Sequence, residues 1–436
     1  MSTTDRHLHR LIYRAMMGKG RHLPPASAFR MTRLWAGLTS FHKAPSIRLL
    51  EREYLSCFIE GLTPENGVWT SIFVPTELLY AFGLAPLCLE GLSALTAGMG
   101  IAHDFLGRHG THFIPATMCN FHRLGIDLAK SGLLPRPRFI LASSALCDGN
   151  LNTFRHIAEE TDTPFFFLDI PHNDNEAGRA YLTSQLEALI AFIERIIGRP
   201  LNSIRLEEAA NHLKVSSKLM DTIYKKRCRL TRNIFHGHEM IDFMLAMNIM
   251  AGSSRLVSIC RAIDRDIDDG SVYNHTLPKE LPKDAVRIVW SHIAPTFQYS
   301  DIWPAIDDGI SSKIVMEECT RVPVIDTSNS LAQIVSRLIN IPGNEPMKRR
   351  LQLLETICDD SGADGIVHFS NWGCQQATGA APIMQHYFAE MGIPFLNING
   401  NCADRTSCGS EQHKTRYSAF LKAIAAKKSG RRLISD

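Results

Sequence analysis

The sequence predicts an α/β protein with two similar domains, because one pattern of strand, cysteine turn, helix and strand occurs twice. The more regular copy begins with residues 365–369, a short apolar run that is typical of a buried parallel strand. A polar turn ends in Cys374, a helical pattern covers residues 377–390, and Pro394 opens a second strand. Cys374 is therefore predicted just beyond the carboxyl end of a strand, where open α/β sheets bind ligands.

The first half of the chain repeats this order. Residues 138–143 (RFILAS) are strand-like, Cys147 follows in the polar turn SALCDGN, residues 151–160 are helical, and Pro164 opens the next strand. The cysteine and the proline are 17 residues apart in this copy and 20 in the other. We interpret the match as a duplicated α/β domain, although any α/β chain alternates strands, turns and helices.

The patterns divide the chain into four segments. Residues 1–70 form a basic helical extension, whose first fifty residues hold nine Lys/Arg and one Asp. Residues 71–200 form the first α/β domain, 201–283 a helical linker region and 284–436 the second α/β domain. We expect the helical region to wall a cleft between the two domains.

Shorter sequence patterns predict the remaining helices and strands. Further helices are predicted at residues 75–79, 121–129, 185–197, 206–229, 234–250, 347–357 and 411–427. Further strands are predicted at residues 84–89, 286–290 and 312–317.

Composition and charge exclude several classes of protein. The chain is 45% hydrophobic and 21% charged, as in ordinary globular proteins. A net charge of +3 without a basic-aromatic patch argues against nucleic-acid binding. No apolar stretch is long enough for a membrane span, and no signal peptide is recognisable. We expect a cytoplasmic protein with no membrane or nucleic-acid partner.

Two nucleotide-binding motifs are missing from the sequence. There is no G-x-x-x-x-G-K-[ST] loop, and His103 stands where a third glycine would complete the pattern begun by Gly98 and Gly100. If ATP is needed, we expect another protein to hydrolyse it.

The eleven cysteines are odd in number, widely spread and never arranged as C-x-x-C. A chain of this size does not need disulfides, so we expect reduced thiols, and a metal site must gather cysteines that are distant in sequence. Cys119, Cys147 and Cys374 share polar turns at strand ends or helix starts, where a thiolate is favoured. Three such thiolates can hold a four-iron cluster and leave one iron open to substrate.

The other eight cysteines fall into two groups. Four lie inside apolar or helical patterns and are predicted to be buried hydrophobic side chains: Cys57, Cys228, Cys260 and Cys358. Four are intermediate in context: Cys88, Cys319, Cys402 and Cys408.

Four motifs together resemble those of a known family. They are VPTELLYAFGLAPL, SALCDG, HFSNWGC and the ending GIPFLNINGNCADR…EQHKTRYSAFL, and they span about residues 71–424. This combination resembles the 2-hydroxyacyl-CoA dehydratase and benzoyl-CoA reductase family. The resemblance implies two Rossmann-like parallel-sheet domains joined by a helical region.

The resemblance also implies a cofactor, partners and a reaction. By position, Cys119, Cys147 and Cys374 are expected to hold a [4Fe-4S] cluster. An ATP-hydrolysing iron–sulfur activator is expected to supply a low-potential electron, and a homologous second subunit or a second copy to complete the enzyme. The substrate is expected to be an acyl-CoA, which forms a ketyl radical anion and loses water.

Two departures from the family pattern leave the cluster type open. The basic extension is not part of the pattern, and Cys402 and Cys408 stand where other residues are usual. A related branch carries a double-cubane [8Fe-9S] cluster, which needs about six cysteines and reduces small inert molecules. Three of Cys88, Cys319, Cys402 and Cys408 could complete such a set.

Other interpretations remain beside a catalytic subunit for radical dehydration. The chain could be a non-catalytic electron-transfer subunit, or an iron-free α/β binding protein. Four side chains at strand ends are candidates for proton transfer as well as for structural roles: His292, His368, Glu317 and Glu318.

Overall fold

The computed structural model describes residues 25–40, 43–108, 114–271, 278–295, 303–405 and 409–435. It contains two four-stranded sheets in which every neighbouring pair of strands is parallel. Helices cover the sheets, so the chain has the predicted α/β fold with two Rossmann-like domains.

The first sheet contains the strands β1 to β4: Gly67–Thr70, Ala85–Cys88, Ile140–Ser143 and Phe165–Leu168. Their spatial order is β2-β1-β3-β4. All four residues of β3 are buried, because helices cover both faces of this central strand. Strand β1 precedes residue 71, so part of the first sheet comes from the segment interpreted as an extension.

The second sheet contains the strands β5 to β8: Val286–Ser291, Ser312–Glu317, Gly365–Asn371 and Phe395–Gly400. Its order, β6-β5-β7-β8, repeats the order of the first sheet. Strand β7 is buried along its whole length. The same strand order in both sheets agrees with the duplication interpreted from the sequence.

The helices, in chain order from α1 to α16, surround the two sheets. They are Pro25–Thr39, Pro45–Gly61, Thr76–Ala81, Leu89–Gly98, Asn120–Lys130, Gly149–Glu160, Glu176–Ile197, Ser203–Cys228, Gly237–Ile249, Ser254–Asp269, Trp303–Ile306, Ser330–Ile339, Met347–Ser361, Gln375–Thr378, Ala380–Glu390 and Ser410–Ser435. Within the described ranges, no helix is both long and apolar enough to cross a membrane.

Helices α8, α9 and α10 form the helical region between the two sheets. They pack mainly through apolar side chains, among them Met240, Phe243 and Ile259, which are each at most 2% exposed. Burial of this apolar surface stabilises the region and fixes its position against both sheets.

Helix α12 connects the two halves of the molecule. It follows β6 in the chain, yet Ile334 and Leu338 are fully buried in the apolar core beside the first sheet. On the same helix, Arg337 forms a two-bond ion pair with buried Glu77 of α3, at 2.5 and 2.8 Å. Both contacts hold a segment of the second half on the first domain.

Candidate metal centre

A cavity of about 190 Å³ lies where the two domains and the helical region meet. Cys119, Cys147 and Cys374 all line it. Cys147 follows the carboxyl end of β3, and Cys374 follows that of β7. Cys119 precedes helix α5. The structure therefore brings together the three cysteines that the sequence singled out, two from the first domain and one from the second.

Close backbone packing brings Cys374 and Cys119 into the same cavity. Gly373 has φ +77°, and a Cβ atom there would lie only 2.3 Å from the backbone nitrogen of Cys119 and 2.6 Å from the carbonyl carbon of Met118. Asn371 donates from Nδ2 to the Cys119 sulfur at 3.4 Å. Only glycine fits at position 373, because the turn of one domain rests directly on the loop of the other.

Cys147 is held in a strained turn. Leu146, just before it, has φ +61°, a left-handed conformation that is rare for a branched side chain. His122 of α5 places Nε2 3.1 Å from the Cys147 sulfur. Strain of this kind persists only where surrounding contacts enforce it, and it clusters at functional sites.

All three cysteines stand at helix starts. Cys119 and Cys374 directly precede helices α5 and α14, and Cys147 lies two residues before α6. Nearby backbone amides lower the pKa of each thiol, although neither Cys119 nor Cys374 accepts a capping hydrogen bond. Amides in this position stabilise a thiolate more than a neutral thiol, because they offer partial positive charge.

Burial nevertheless keeps the three thiols protonated when no cation is bound. Burial, together with the neighbouring Cys374, raises the pKa of Cys119 to about 11. Burial also raises the pKa of Cys147 and of Cys374, and in Cys147 the charges of the other two cysteines add to this effect. A bound cation favours the thiolates instead, because its positive charge takes the place of the protons on the sulfurs.

The ligand chemistry of the three cysteines can be compared with that of known metal sites. In the described part of the chain, no group of three or more His, Cys, Asp or Glu side chains is arranged to hold a metal ion. Soft thiolates with amide donors are the ligand set of iron–sulfur clusters.

The four additional cysteine candidates differ in position. Of the three that the structure describes, Cys319 lines the cavity and the other two do not. Cys88 is 1% exposed in an apolar core and accepts a hydrogen bond from the amide of Gly91 at 3.3 Å. Cys402 is fully buried in the core beside the second sheet. Cys408 lies outside the described residues.

The cysteines predicted to be buried hydrophobic side chains are buried. Cys57, Cys228, Cys260 and Cys358 are at most 7% exposed. All four belong to apolar clusters.

Of the four proton-transfer candidates, Glu318 and His292 line the cavity. Burial alone would raise the pKa of Glu318, but the charge of Arg350 and its two hydrogen bonds, at 2.5 and 3.0 Å, lower it to about 2. His292 has φ +73°, and its Nε2 is 3.9 Å from the Cys374 sulfur. Burial lowers the pKa of His292 to about 3.

The other two candidates have structural partners. Arg227 donates two hydrogen bonds to Glu317 at 2.8 and 3.0 Å, and both residues are buried. His368 lies between the hydroxyl of Ser291, 2.9 Å away, and the carbonyl of Ala377, 3.0 Å away. The first contact joins α8 to the carboxyl end of β6, and the second joins β5, β7 and helix α14.

Sequence reasoning missed several cavity residues, among them Glu90, His122, Arg337 and Arg350. Burial raises the pKa of Glu90 to about 7. Glu90 had a usable signal, since a carboxylate in the first turn of a helix directly after a strand resembles the context of the cysteines. The others lie inside ordinary helical patterns, which do not reveal the side that faces the cavity.

Comparison with known proteins places the chain among enzyme subunits. Residues 71–424 match the family described as 2-hydroxyglutaryl-CoA dehydratase, D-component, which confirms the resemblance predicted from the motifs. The alpha subunit of (R)-2-hydroxyglutaryl-CoA dehydratase from Acidaminococcus fermentans is 22% identical over 67% of this chain and 61% of its own length.

Both subunits of another dehydratase also match. The alpha subunit of (R)-phenyllactyl-CoA dehydratase from Clostridium sporogenes is 19% identical, over 84% of this chain and 91% of its own length. The beta subunit is 22% identical, over 81% and 90%.

Proposed function

This chain belongs to the 2-hydroxyglutaryl-CoA dehydratase D-component family, and on that premise we propose that it is the iron–sulfur catalytic subunit of a 2-hydroxyacyl-CoA dehydratase-like enzyme. In this proposal it accepts a low-potential electron from an ATP-hydrolysing activator, and an acyl thioester loses water by a radical mechanism.

One observation carries the proposal. Cys119, Cys147 and Cys374 come from two domains and three separate loops, and they line the same buried cavity. Each of the three stands at or just before a helix start, and packing at Gly373 holds two of the three loops in direct contact. Purely structural cysteines have no need to converge on a shared cavity.

The three cysteines are the proposed ligands of a [4Fe-4S] cluster. When bound, the cluster supplies a one-electron donor and a Lewis acid in the cavity. The chain's own residues fix the three ligands, hold donors near two of the sulfurs through His122 and Asn371, and exclude water with an apolar wall. Exclusion of water protects a charged radical from proton transfer.

A single cubane is favoured over the double cubane of the related branch. Six ligands would have to include at least two of Cys88, Cys402 and Cys408 beside Cys319. Cys88 and Cys402 lie inside apolar cores and do not line the cavity. We therefore assign a buried structural role to these two thiols.

The proposal includes two protein partners. No phosphate-binding loop occurs in the sequence, so ATP hydrolysis is assigned to a separate activator. The matched relatives are named as alpha and beta subunits, which supports a homologous second subunit or a second copy of this chain.

Iron and sulfide determination after anaerobic purification tests the ligand assignment. About four iron atoms per chain are expected, and about eight would favour the double cubane. Cys119→Ala, Cys147→Ala and Cys374→Ala are each expected to lower bound iron sharply, while the control Cys260→Ala keeps it. Full iron and an unchanged visible spectrum in all three variants would contradict the assignment.

Turnover then tests the reaction. Four-iron protein is mixed with activator, reductant, ATP and a panel of 2-hydroxyacyl-CoA esters, and loss of water is measured by mass spectrometry. Lack of turnover on the whole panel would remove the dehydratase proposal and leave the electron-transfer alternative.

A further inference from the structure

The helical region supplies an apolar wall to the cavity. Six apolar side chains of α8, α9 and α10 line it: Leu213, Met220, Met244, Leu245, Met247 and Leu256. The two polar residues that the same helices contribute are already bonded. Ser217 donates to the carbonyl of Lys214 at 2.9 Å, and Asn248 donates from Nδ2 to that of Met244 at 2.9 Å. This wall therefore offers mainly apolar contact surface.

The chain on either side of α12 extends the apolar surface. Val322, Pro323 and Ile325 line the cavity before the helix, and Ile341 and Pro342 line it after the helix. The proposed cluster and an apolar group beside it would share the cavity volume of about 190 Å³.

The arginines that line the cavity are already neutralised. Arg337 bonds to both carboxylate oxygens of Glu77, at 2.5 and 2.8 Å, and to the carbonyl of Val74 at 2.8 Å. Arg350 bonds to both oxygens of Glu318. Glu90 adds a carboxyl group that forms no ion pair with any described residue. Arg337 Nη1 has no hydrogen-bond partner among the described residues, but the charge of each of the two arginines is compensated by a buried carboxylate. A second carboxylate on the substrate would thus meet no arginine in the cavity lining whose charge is uncompensated.

We infer that this wall is the acyl subsite, and that the substrate carries an uncharged, apolar acyl group and not an acyl group with a second carboxylate. The inference rests on the proposed function. The three methionines suit such a group, because their flexible and polarisable side chains adapt to irregular apolar shapes. A carboxylate buried among them without a partner is strongly disfavoured.

Binding of thioesters that lack the 2-hydroxyl group tests this inference without turnover. Isocaproyl-CoA and glutaryl-CoA are titrated into the anaerobic, cluster-loaded protein by isothermal titration calorimetry. Isocaproyl-CoA is expected to bind at least about tenfold more tightly, since it buries apolar surface and leaves no unpaired charge. With activator, 2-hydroxyisocaproyl-CoA is expected to exceed 2-hydroxyglutaryl-CoA in kcat/KM.

Variants of the wall sharpen the test. The double change Met244→Ala with Met247→Ala is expected to weaken isocaproyl-CoA binding by about tenfold or more and to leave glutaryl-CoA binding nearly unchanged. Met244→Leu keeps the apolar contact and is expected to keep the affinity. Met391→Ala is the matched control, because Met391 is 41% exposed and lies outside the cavity lining. Thermal unfolding of each variant shows whether it is folded.

The possible failures are distinguishable. If glutaryl-CoA binds the unaltered protein as tightly as isocaproyl-CoA does, and 2-hydroxyglutaryl-CoA is turned over, the acyl assignment is wrong and the proposed function stands. If neither thioester binds and no 2-hydroxyacyl-CoA is turned over, the proposed function itself is wrong.

Discussion

Replacing Gly373 by alanine should separate the two domains' cysteine loops. A Cβ atom at this position would lie 2.3 Å from the nitrogen of Cys119 and 2.6 Å from the carbonyl carbon of Met118. Both neighbours are backbone atoms, which cannot rotate away as a side chain can. The turn that carries Cys374 must therefore move away from the loop that carries Cys119.

The cost has two parts. Alanine at φ +77° costs about 1–2 kcal/mol, because a left-handed conformation brings Cβ near the following carbonyl. Overpacking at a close contact costs about 1–3 kcal/mol. The free energy of unfolding should fall by roughly 2–5 kcal/mol. Bound iron should fall as well, because the displacement acts directly on the spacing of two proposed ligands.

The variant Gly392→Ala separates the cost of backbone strain from the cost of the steric clash. Gly392 has φ +69°, but no atom lies within 4 Å of the position where its Cβ would be. This control therefore carries the backbone strain without the clash, and it should lose only about 1–2 kcal/mol and keep its iron. Urea unfolding of metal-free protein and iron determination after reconstitution measure both effects. If Gly373→Ala keeps full iron and is destabilised no more than Gly392→Ala, the reasoning about the packed loops is wrong.

Two further predictions concern groups that face the cavity. Arg350→Met should lower the free energy of unfolding by about 3–5 kcal/mol, because it leaves the buried charge of Glu318 unpaired. Adding Glu318→Gln should recover part of that loss. Urea unfolding of the single and double variants measures both effects, and a double variant no more stable than the single one would contradict the prediction. His122→Ala should lower the reduction potential of the reconstituted cluster, because it removes a donor 3.1 Å from the Cys147 sulfur that stabilises the added negative charge. A redox titration followed by electron paramagnetic resonance measures the shift in potential. His386→Ala is the control, because that side chain is 80% exposed. An unchanged potential in His122→Ala would contradict the predicted role of His122.

The sequence predicted most of the fold because buried parallel strands leave a clear signal. The strands of both repeated units were recognisable from short apolar runs that end in polar turns. Strand β1, Gly67–Thr70, was missed, because its four residues follow a glycine-containing turn and are too few to show a pattern. Helix α12 carries an ordinary amphipathic pattern, and nothing in it reveals that its apolar side packs against the first domain.

The cysteines show what sequence context can and cannot separate. Cys119, Cys147 and Cys374 stand in polar turns, and the structure brings all three to one cavity. Cys88 also stands at the carboxyl end of a strand and at a helix start, yet its side chain is enclosed in an apolar core. The difference depends on the direction in which the sulfur points, which the packing of distant helices decides.

The two domains contribute unequally to the candidate site. Two similar sheets present their carboxyl ends to each other, but the first domain contributes two of the proposed ligands and the second only one. In the second domain, His292 and Glu318 follow the adjacent strands instead, and Glu318 is held by Arg350. A three-ligand set leaves one position of a cubane without a protein thiolate. The helical region belongs to neither repeat, so its apolar wall is built separately from the loops that carry the three cysteines.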